Sequence, residues 1–340
     1  MTGRILVTGG AGFIGSHLVD ALISAKQMVT VLDDFSTGSP ENLNDARARG
    51  DVRIVEGSIL DPTSVMDALA NCDRVYHLAV QCVRRSLGNP RESHDINATG
   101  TLTVLEEARK AGISRFVYCS SSEVYGNASD GLLSEYGTPC QPQTVYGGAK
   151  LAGETYAEAY YRTYGMPTMV IRPFNAYGPR AHEQGDLAEV VPRFTIRILN
   201  GLPPVIFGDG RNGRDFTYVT EVARGLMLAG DSDRMVGERI NIAYGRMITI
   251  AEVARTLMDV CGRNDLTSEL AADRPGDVHV LNADTRRALD LIDYRAEINF
   301  EDGIRKYVNW FRSKHPDPAK LLEEKVENWT MPTENPRVHG

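Results

Sequence analysis

Tyr146 and Lys150 stand four residues apart in Tyr146-Gly147-Gly148-Ala149-Lys150, within a stretch that reads as a helix over Val145–Tyr164. That spacing puts both side chains on one helix face, one turn apart. An ammonium near a phenol favours the phenolate and lowers its pKa, so the tyrosine could take a proton near neutral pH. A second polar group, Ser120-Ser121-Ser122-Glu123, follows the apolar run Phe116-Val117-Tyr118. A hydroxyl at the carboxyl end of a buried strand could bridge the tyrosine and a substrate hydroxyl. Ser121 is the favoured one of the serines, and the others need only end the strand.

Such chemistry needs an electron acceptor, and the amino end offers a site for one. Thr8-Gly9-Gly10-Ala11-Gly12-Phe13-Ile14-Gly15 lies between the apolar run Ile5-Leu6-Val7 and a helical stretch from Ser16 to Ala25. Gly9 permits a tight bend, Gly12 lets backbone approach a pyrophosphate, and Gly15 lets helix and strand pack closely. The helix start then presents free N–H groups to phosphates. The next apolar run, Val29-Thr30-Val31-Leu32, ends in Asp33-Asp34. An acid there accepts hydrogen bonds from both ribose hydroxyls and repels a 2′-phosphate, which selects NAD over NADP. The positive charge of oxidised nicotinamide would help lower the Tyr146 pKa, and Lys150 could hydrogen-bond the nicotinamide ribose.

The elements that must hold these residues alternate. Candidate strands are Arg4–Thr8, Met28–Asp33, Val52–Glu56, Arg74–Leu78, Arg115–Ser120 and Thr168–Arg172; helical patterns cover Gly12–Ala25, Pro62–Ala70 and Ile96–Ala111. Continuous apolar strands imply burial on both faces, hence an α/β fold with a doubly wound parallel sheet of Rossmann type. After Pro173 short elements, prolines and glycines take over, and a smaller, discontinuous α/β substrate domain is expected over the carboxyl ends of the strands. The expected division is residues 1–172 plus about 215–238 for the dinucleotide domain, about 173–214 plus 239–312 for the substrate domain, and 313–340 as a partly loose, charged tail.

The 340 residues suffice for one large domain or two modest ones, and the net charge of −8 argues against nucleic acid as a partner. The five cysteines are odd in number and widely spaced, so neither a metal site nor a disulfide framework is indicated. The chain opens on a strand with no signal peptide, and no run suits a membrane span; a cytoplasmic, soluble protein with no membrane partner is expected.

The sequence resembles the extended short-chain dehydrogenase/reductase superfamily, in particular its nucleotide-sugar epimerase, dehydratase and decarboxylase branch of the UDP-glucose 4-epimerase type. The resemblance runs from about residue 3 to residue 312. It rests on the glycine motif at 8–15, Asp33, His77-Leu78-Ala79, Asn97 with Gly100-Thr101, Ser-Ser-Ser-Glu-Val-Tyr-Gly at 120–126, Tyr146 to Lys150, and Arg172-Pro173-Phe174-Asn175. Gly213-Arg214-Asp215-Phe216 and Arg274-Pro275-Gly276-Asp277 add matches on the substrate side. It implies catalytic roles for Ser121, Tyr146 and Lys150, with Glu123 beside them. It implies NAD contacts at Gly9, Gly12, Phe13, Ile14, Gly15, Asp33, Leu78, Ala79 and Pro173. Ser58-Ile59 falls where the family has an acid before an apolar residue near the adenine, and Ser58 departs from that pattern. Asn175, Arg214 and Arg274 match groups that hold a sugar nucleotide's diphosphate and nucleoside; two guanidiniums suit a dianion. For each arginine the alternative is a surface ion pair.

All members of the branch begin by oxidising the sugar at C4 to a 4-keto sugar. Returning the hydride to the opposite face gives the C4 epimer. Dehydratases carry Thr-Asp-Glu before Val-Tyr-Gly, where this chain has Ser121-Ser122-Glu123, so water elimination is disfavoured. Decarboxylases of UDP-glucuronate share Ser/Thr-Ser-Glu but differ after His-Leu-Ala. There this chain has Val80-Gln81-Cys82-Val83-Arg84-Arg85. One of Arg84 and Arg85 could face a C6 carboxylate; the alternative is a surface-pointing pair. Leu281 falls at the family's pocket-size position, where leucine in place of tyrosine would leave room for an N-acetyl group. The expectation is an NAD-dependent 4-epimerase of a nucleotide sugar, a UDP-hexose or UDP-hexuronate by preference. A UDP-glucuronate decarboxylase comes next, then a 4,6-dehydratase, and a non-catalytic NAD sensor or scaffold last. A homodimer through Ile96–Ala111 and Val145–Tyr164 is expected.

Overall fold

Short runs centred on β-branched and aromatic residues form β1 Arg4–Thr8, β2 Val29–Asp33, β3 Val52–Glu56, β4 Cys72–His77, β5 Arg115–Cys119 and β6 Thr168–Pro173. The computed structural model describes residues 3–128, 131–274 and 276–331. In it these strands join Arg239–Ile242 in one seven-stranded sheet, ordered Arg239–Ile242, β6, β5, β4, β1, β2, β3, with every pair parallel. Successive residues face opposite sides: Ile5 and Val7 enter one apolar core, Leu6 the other. Helices on both faces bury them, which explains the unbroken hydrophobic runs. The strand order reverses between β1 and β4, so the connections leaving these two strands part and open a crevice at their carboxyl ends.

The strand Arg239–Ile242 corrects the expected division, which assigned it to the substrate domain. It pairs with β6, Asn241 lying opposite Arg172. Every residue of β6 is buried, so the polar backbone on its second edge needs a partner. The helix expected from Ile96 also differs at its start. A π turn spans Asp95–Gly100 before regular helix resumes over Thr101–Lys110. Asn97 ties this turn to the loop after β4, donating to the Gln81 carbonyl and accepting from the Gln81 N–H, both at 3.0 Å.

Beyond β6 a third core gathers Phe194, Ile198, Phe216, Leu257, Phe300 and Phe311. They come chiefly from the helices Val190–Leu199, Ile250–Cys261 and Phe300–Lys314, packed beside a three-stranded sheet of Met247–Thr249, Gly213–Asp215 and Val280–Leu281. The first of these helices is hidden in the sequence by Pro192, which falls in the first turn, where its missing N–H costs no hydrogen bond. The segment after Ser313 is not a loose tail over its described length. The last helix runs on to Lys314, and Asn328 and Trp329 are each only 9% exposed. The tryptophan ring lies edge-on against Phe207, and that apolar contact holds the segment down.

Candidate active site

The turn after β1 has no room for side chains. Gly9 sits at φ +67°, and a Cβ there would lie 2.7 Å from the Ala79 nitrogen. A Cβ on Gly15, in the helix α1 Phe13–Ser24, would lie 2.1 Å from the Gly9 oxygen. Backbone therefore faces the crevice directly. Asp33, closing β2, accepts N–H groups of Ala11 at 2.9 Å and Phe35 at 3.0 Å, one on each carboxylate oxygen. Burial raises its pKa against the pull of these amides. Each oxygen keeps a lone pair for a ribose hydroxyl.

One cavity runs along this crevice, with Gly9, Gly12, Phe13, Ile14 and Gly15 on its wall. Ser58 and Ile59 join it after β3, Leu78 and Ala79 after β4, and Pro173 at the end of β6. A cradle closed to any Cβ, a helix start and an acid at the end of β2 fit NAD.

The same cavity reaches Ser121, Ser122, Glu123, Tyr146 and Lys150. Ser121 caps the short turn Ser122–Val124, and its hydroxyl accepts the Glu123 N–H at 3.2 Å. The helix that carries Tyr146 and Lys150 starts at Thr144, whose hydroxyl caps it through the Gly147 N–H. Burial acts on both groups that were expected to work together. Lys150 Nζ donates to the Cys119 carbonyl at 2.6 Å, and burial lowers its pKa to about 8. Burial pushes the Tyr146 phenol above its ordinary value, opposed by a hydrogen bond with Ser121 and reinforced by the charge of Glu123. Loss of water from the phenolate is the largest influence on this group in the unliganded site. Burial also raises the Glu123 pKa, against the charges of Arg214, Arg274 and Arg84.

Behind this wall Arg172 and Glu154 form a buried pair, 0% and 1% exposed at their side chains, with Nη2 to Oε2 at 2.6 Å. Glu154 also accepts the Ser120 hydroxyl, so one carboxylate joins the helix of Tyr146 to β5 and β6.

A second cavity adjoins the first, and Arg84, Asn175 and Glu189 line both. Arg214 and Arg274 line the second and share Asp277, the former at 3.0 Å. They are ion-paired, as the alternative reading held, but on a cavity wall and not on the open surface. Two of the candidate substrate residues lie off both cavities. Arg85 lines neither cavity; it turns away to Asp186 at 3.1 Å. Leu281 is fully buried in a cluster with Val124, Tyr125 and Phe174, because its short strand pairs with Gly213–Asp215 and directs it into the core. Arg84 remains at the junction, its guanidinium held by the backbone carbonyls of Asp186 and Leu187.

Sequence reading missed several wall residues. His182 and Glu189 meet at 3.0 Å on the first cavity. Burial opposes charge on His182, yet the hydrogen bond and charge of Glu189 raise its pKa. Arg193, Phe207, Asn328 and Trp329 line the second. Only Trp329 left a signal, as one of two tryptophans in the chain and set in an otherwise polar stretch.

A glycine cradle at the switch point of a parallel sheet, with an acid for the ribose, defines an NAD-binding α/β protein of Rossmann type. Residues 5–243 match the model of the NAD dependent epimerase/dehydratase family, and the chain belongs to that family. It is 35% identical to a dTDP-glucose 4,6-dehydratase of Actinoplanes sp. (91% of this chain, 98% of the relative). It is also 35% identical to a UDP-glucose 4-epimerase of Mycolicibacterium smegmatis (92% and 99%). The crystal structure of a Thermotoga maritima UDP-glucose 4-epimerase with UDP-glucose superposes with a TM-score of 0.86, at 34% identity over 92% of this chain and 99% of that one. The protein is thus an NAD-dependent enzyme of the nucleotide-sugar epimerase and dehydratase kind, equally similar to relatives with either reaction.

Proposed function

We propose that the protein is a nucleotide-sugar 4-epimerase acting on a UDP-hexose or UDP-hexuronate. The observation that carries this reading is Ser122, a 4%-exposed hydroxyl on the cavity wall beside Ser121. A serine holds its proton at neutral pH and cannot act as the acid that water elimination at C6 requires.

NAD, held by the Gly9–Gly15 cradle and Asp33, supplies the acceptor for the C4 hydrogen. Tyr146 takes the proton of the C4 hydroxyl, and Ser121, on the same cavity wall, orders that hydroxyl. The raised pKa of the unliganded phenol means that the base becomes competent beside the positive charge of oxidised nicotinamide, with Lys150 as a second cation in the same cavity. Asn175, Arg214 and Arg274 hold the diphosphate and nucleoside in the second cavity. Arg84 lies between, where it would pair with a C6 carboxylate of a hexuronate. The 4-keto sugar then turns over within the site and regains its hydrogen on the other face, while Tyr146 returns the proton.

A second reading, loss of carbon dioxide or water from the same 4-keto sugar, is favoured by Glu123, whose raised pKa suits it to carry a proton. Incubation with NAD and a panel of UDP- and dTDP-sugars decides. Epimerisation inverts C4 in the NMR spectrum without mass change; a product lighter by carbon dioxide or water would replace the proposal with the second reading.

The helices Thr101–Lys110 and Val145–Tyr164 leave Leu102, Tyr161 and Tyr164 more than a third exposed. We propose that these faces pair in a homodimer, which sedimentation of a Leu102→Glu/Tyr164→Glu variant as a monomer would support.

A further inference from the structure

The described part of the carboxyl-terminal segment folds back onto the second cavity, which Asn328 and Trp329 line. The Glu323 carboxylate accepts the Gly185 N–H at 2.7 Å, and Asn328 Nδ2 donates to the Ala188 carbonyl at 2.8 Å. The Arg193 guanidinium donates to the Val326 carbonyl. These bonds deliver Trp329 to Phe207, ring centroids 4.7 Å apart and planes at 75°. The rings therefore form a corner, not a stack.

Their position within the cavity gives the corner a meaning. Arg84, Asn175 and Glu189 mark the end that opens toward Tyr146. Phe207, Val205 and Trp329 line only the second cavity and lie off that junction, and so do Arg193, Arg214 and Arg274. A ligand that fills both cavities runs from a reacting sugar, past cations, to an aromatic corner. A flat ring there stacks on one aromatic face and meets the other edge-on.

We propose that Trp329 is a nucleobase-binding residue, and that the segment 322–331 is a strap which completes the base compartment of the substrate site. This rests on the nucleotide-sugar reading above. The strap binds the base and leaves the sugar chemistry to Tyr146, so its loss raises KM and spares kcat.

The test uses the full chain loaded with NAD, with UDP as probe. By calorimetry Trp329→Ala should weaken UDP roughly 5- to 100-fold, the loss of one base–aromatic stack, while Trp329→Phe stays within about 3-fold of the parent. A Trp310→Phe variant leaves Trp329 as the sole tryptophan, and its emission should change on titration with UDP over the calorimetric binding range. If Trp329→Ala binds UDP as tightly as the parent, or if UDP binds Trp310→Phe with no change in emission, the strap assignment is overturned and the nucleotide-sugar reading stands. Failure of the parent protein to bind UDP or dTDP at all would overturn both.

Discussion

The cradle at the end of β1 meets its ligand with backbone, whereas the second cavity meets its ligand with side chains. In the cradle, Gly9 and Gly15 exclude any Cβ and the whole motif lies within eight consecutive residues. In the second cavity four arginines come from positions 84, 193, 214 and 274, and an aromatic corner from 207 and 329. A backbone site is fixed once a strand and helix form around it. A side-chain site exists only after distant segments have packed, and its members are held by separate contacts: Arg84 by backbone carbonyls, Arg214 and Arg274 by Asp277, Trp329 by Phe207. Damage should therefore be collective in the first region and divisible in the second.

Four outcomes test that contrast, in falling order of effect. Tyr146→Phe, at the seam between the regions, should lower kcat about 10²- to 10⁴-fold while NAD content and UDP affinity stay unchanged; loss of either ligand with the hydroxyl would make the seam structural. Glu154→Ala strips the partner from fully buried Arg172 and should cost about 3–5 kcal/mol in urea unfolding. Because Glu154 joins the helix of Tyr146 to the sheet, both cavities should fail together, read as parallel loss of NAD and UDP binding. Gly15→Ala forces a Cβ against the Gly9 oxygen and should cost about 1–3 kcal/mol. Bound NAD should fall in that variant while UDP binding survives; equal loss of both would erase the contrast.

The smallest effect is a pH slope. His77, beneath the cradle, is held between the hydroxyls of Thr8 and Thr101. Burial, helped by the charge of Lys150, lowers its pKa to about 3. The unfolded chain binds a proton there near pH 6.5, so between these values the unfolded state holds more protons and stability falls as pH falls. The contribution is up to about 1.4 kcal/mol per pH unit. Denaturant melts from pH 7 to 4 should show a shallower decline in His77→Gln than in the parent chain.

The legibility of the sequence follows the same division. The strands, the glycine turn, Asp33 and the Tyr146–Lys150 spacing are local patterns, and the structure brings all of them to one crevice. The reaction partners of the second cavity are not local. Arg84 and Arg85 are neighbours of one type, yet one lines the site and the other turns to Asp186. Leu281 failed because a two-residue strand decides which way it points, and no periodicity registers over so short a run. For Tyr146 the spacing reports that a cation is near, not how much water the fold removes, and burial raises the phenol's pKa in the unliganded site.

By itself, then, the chain determined the parallel sheet, its NAD cradle and the chemical identity of its proton carrier, since hydrophobic period, glycine and helix spacing act between residues near in sequence. Tertiary packing alone decided which arginine faces the junction, where Arg239–Ile242 pairs, and that Trp329 reaches Phe207. Those outcomes depend on burying apolar surface and satisfying buried polar groups between segments far apart in the chain, and no local pattern encodes that closure.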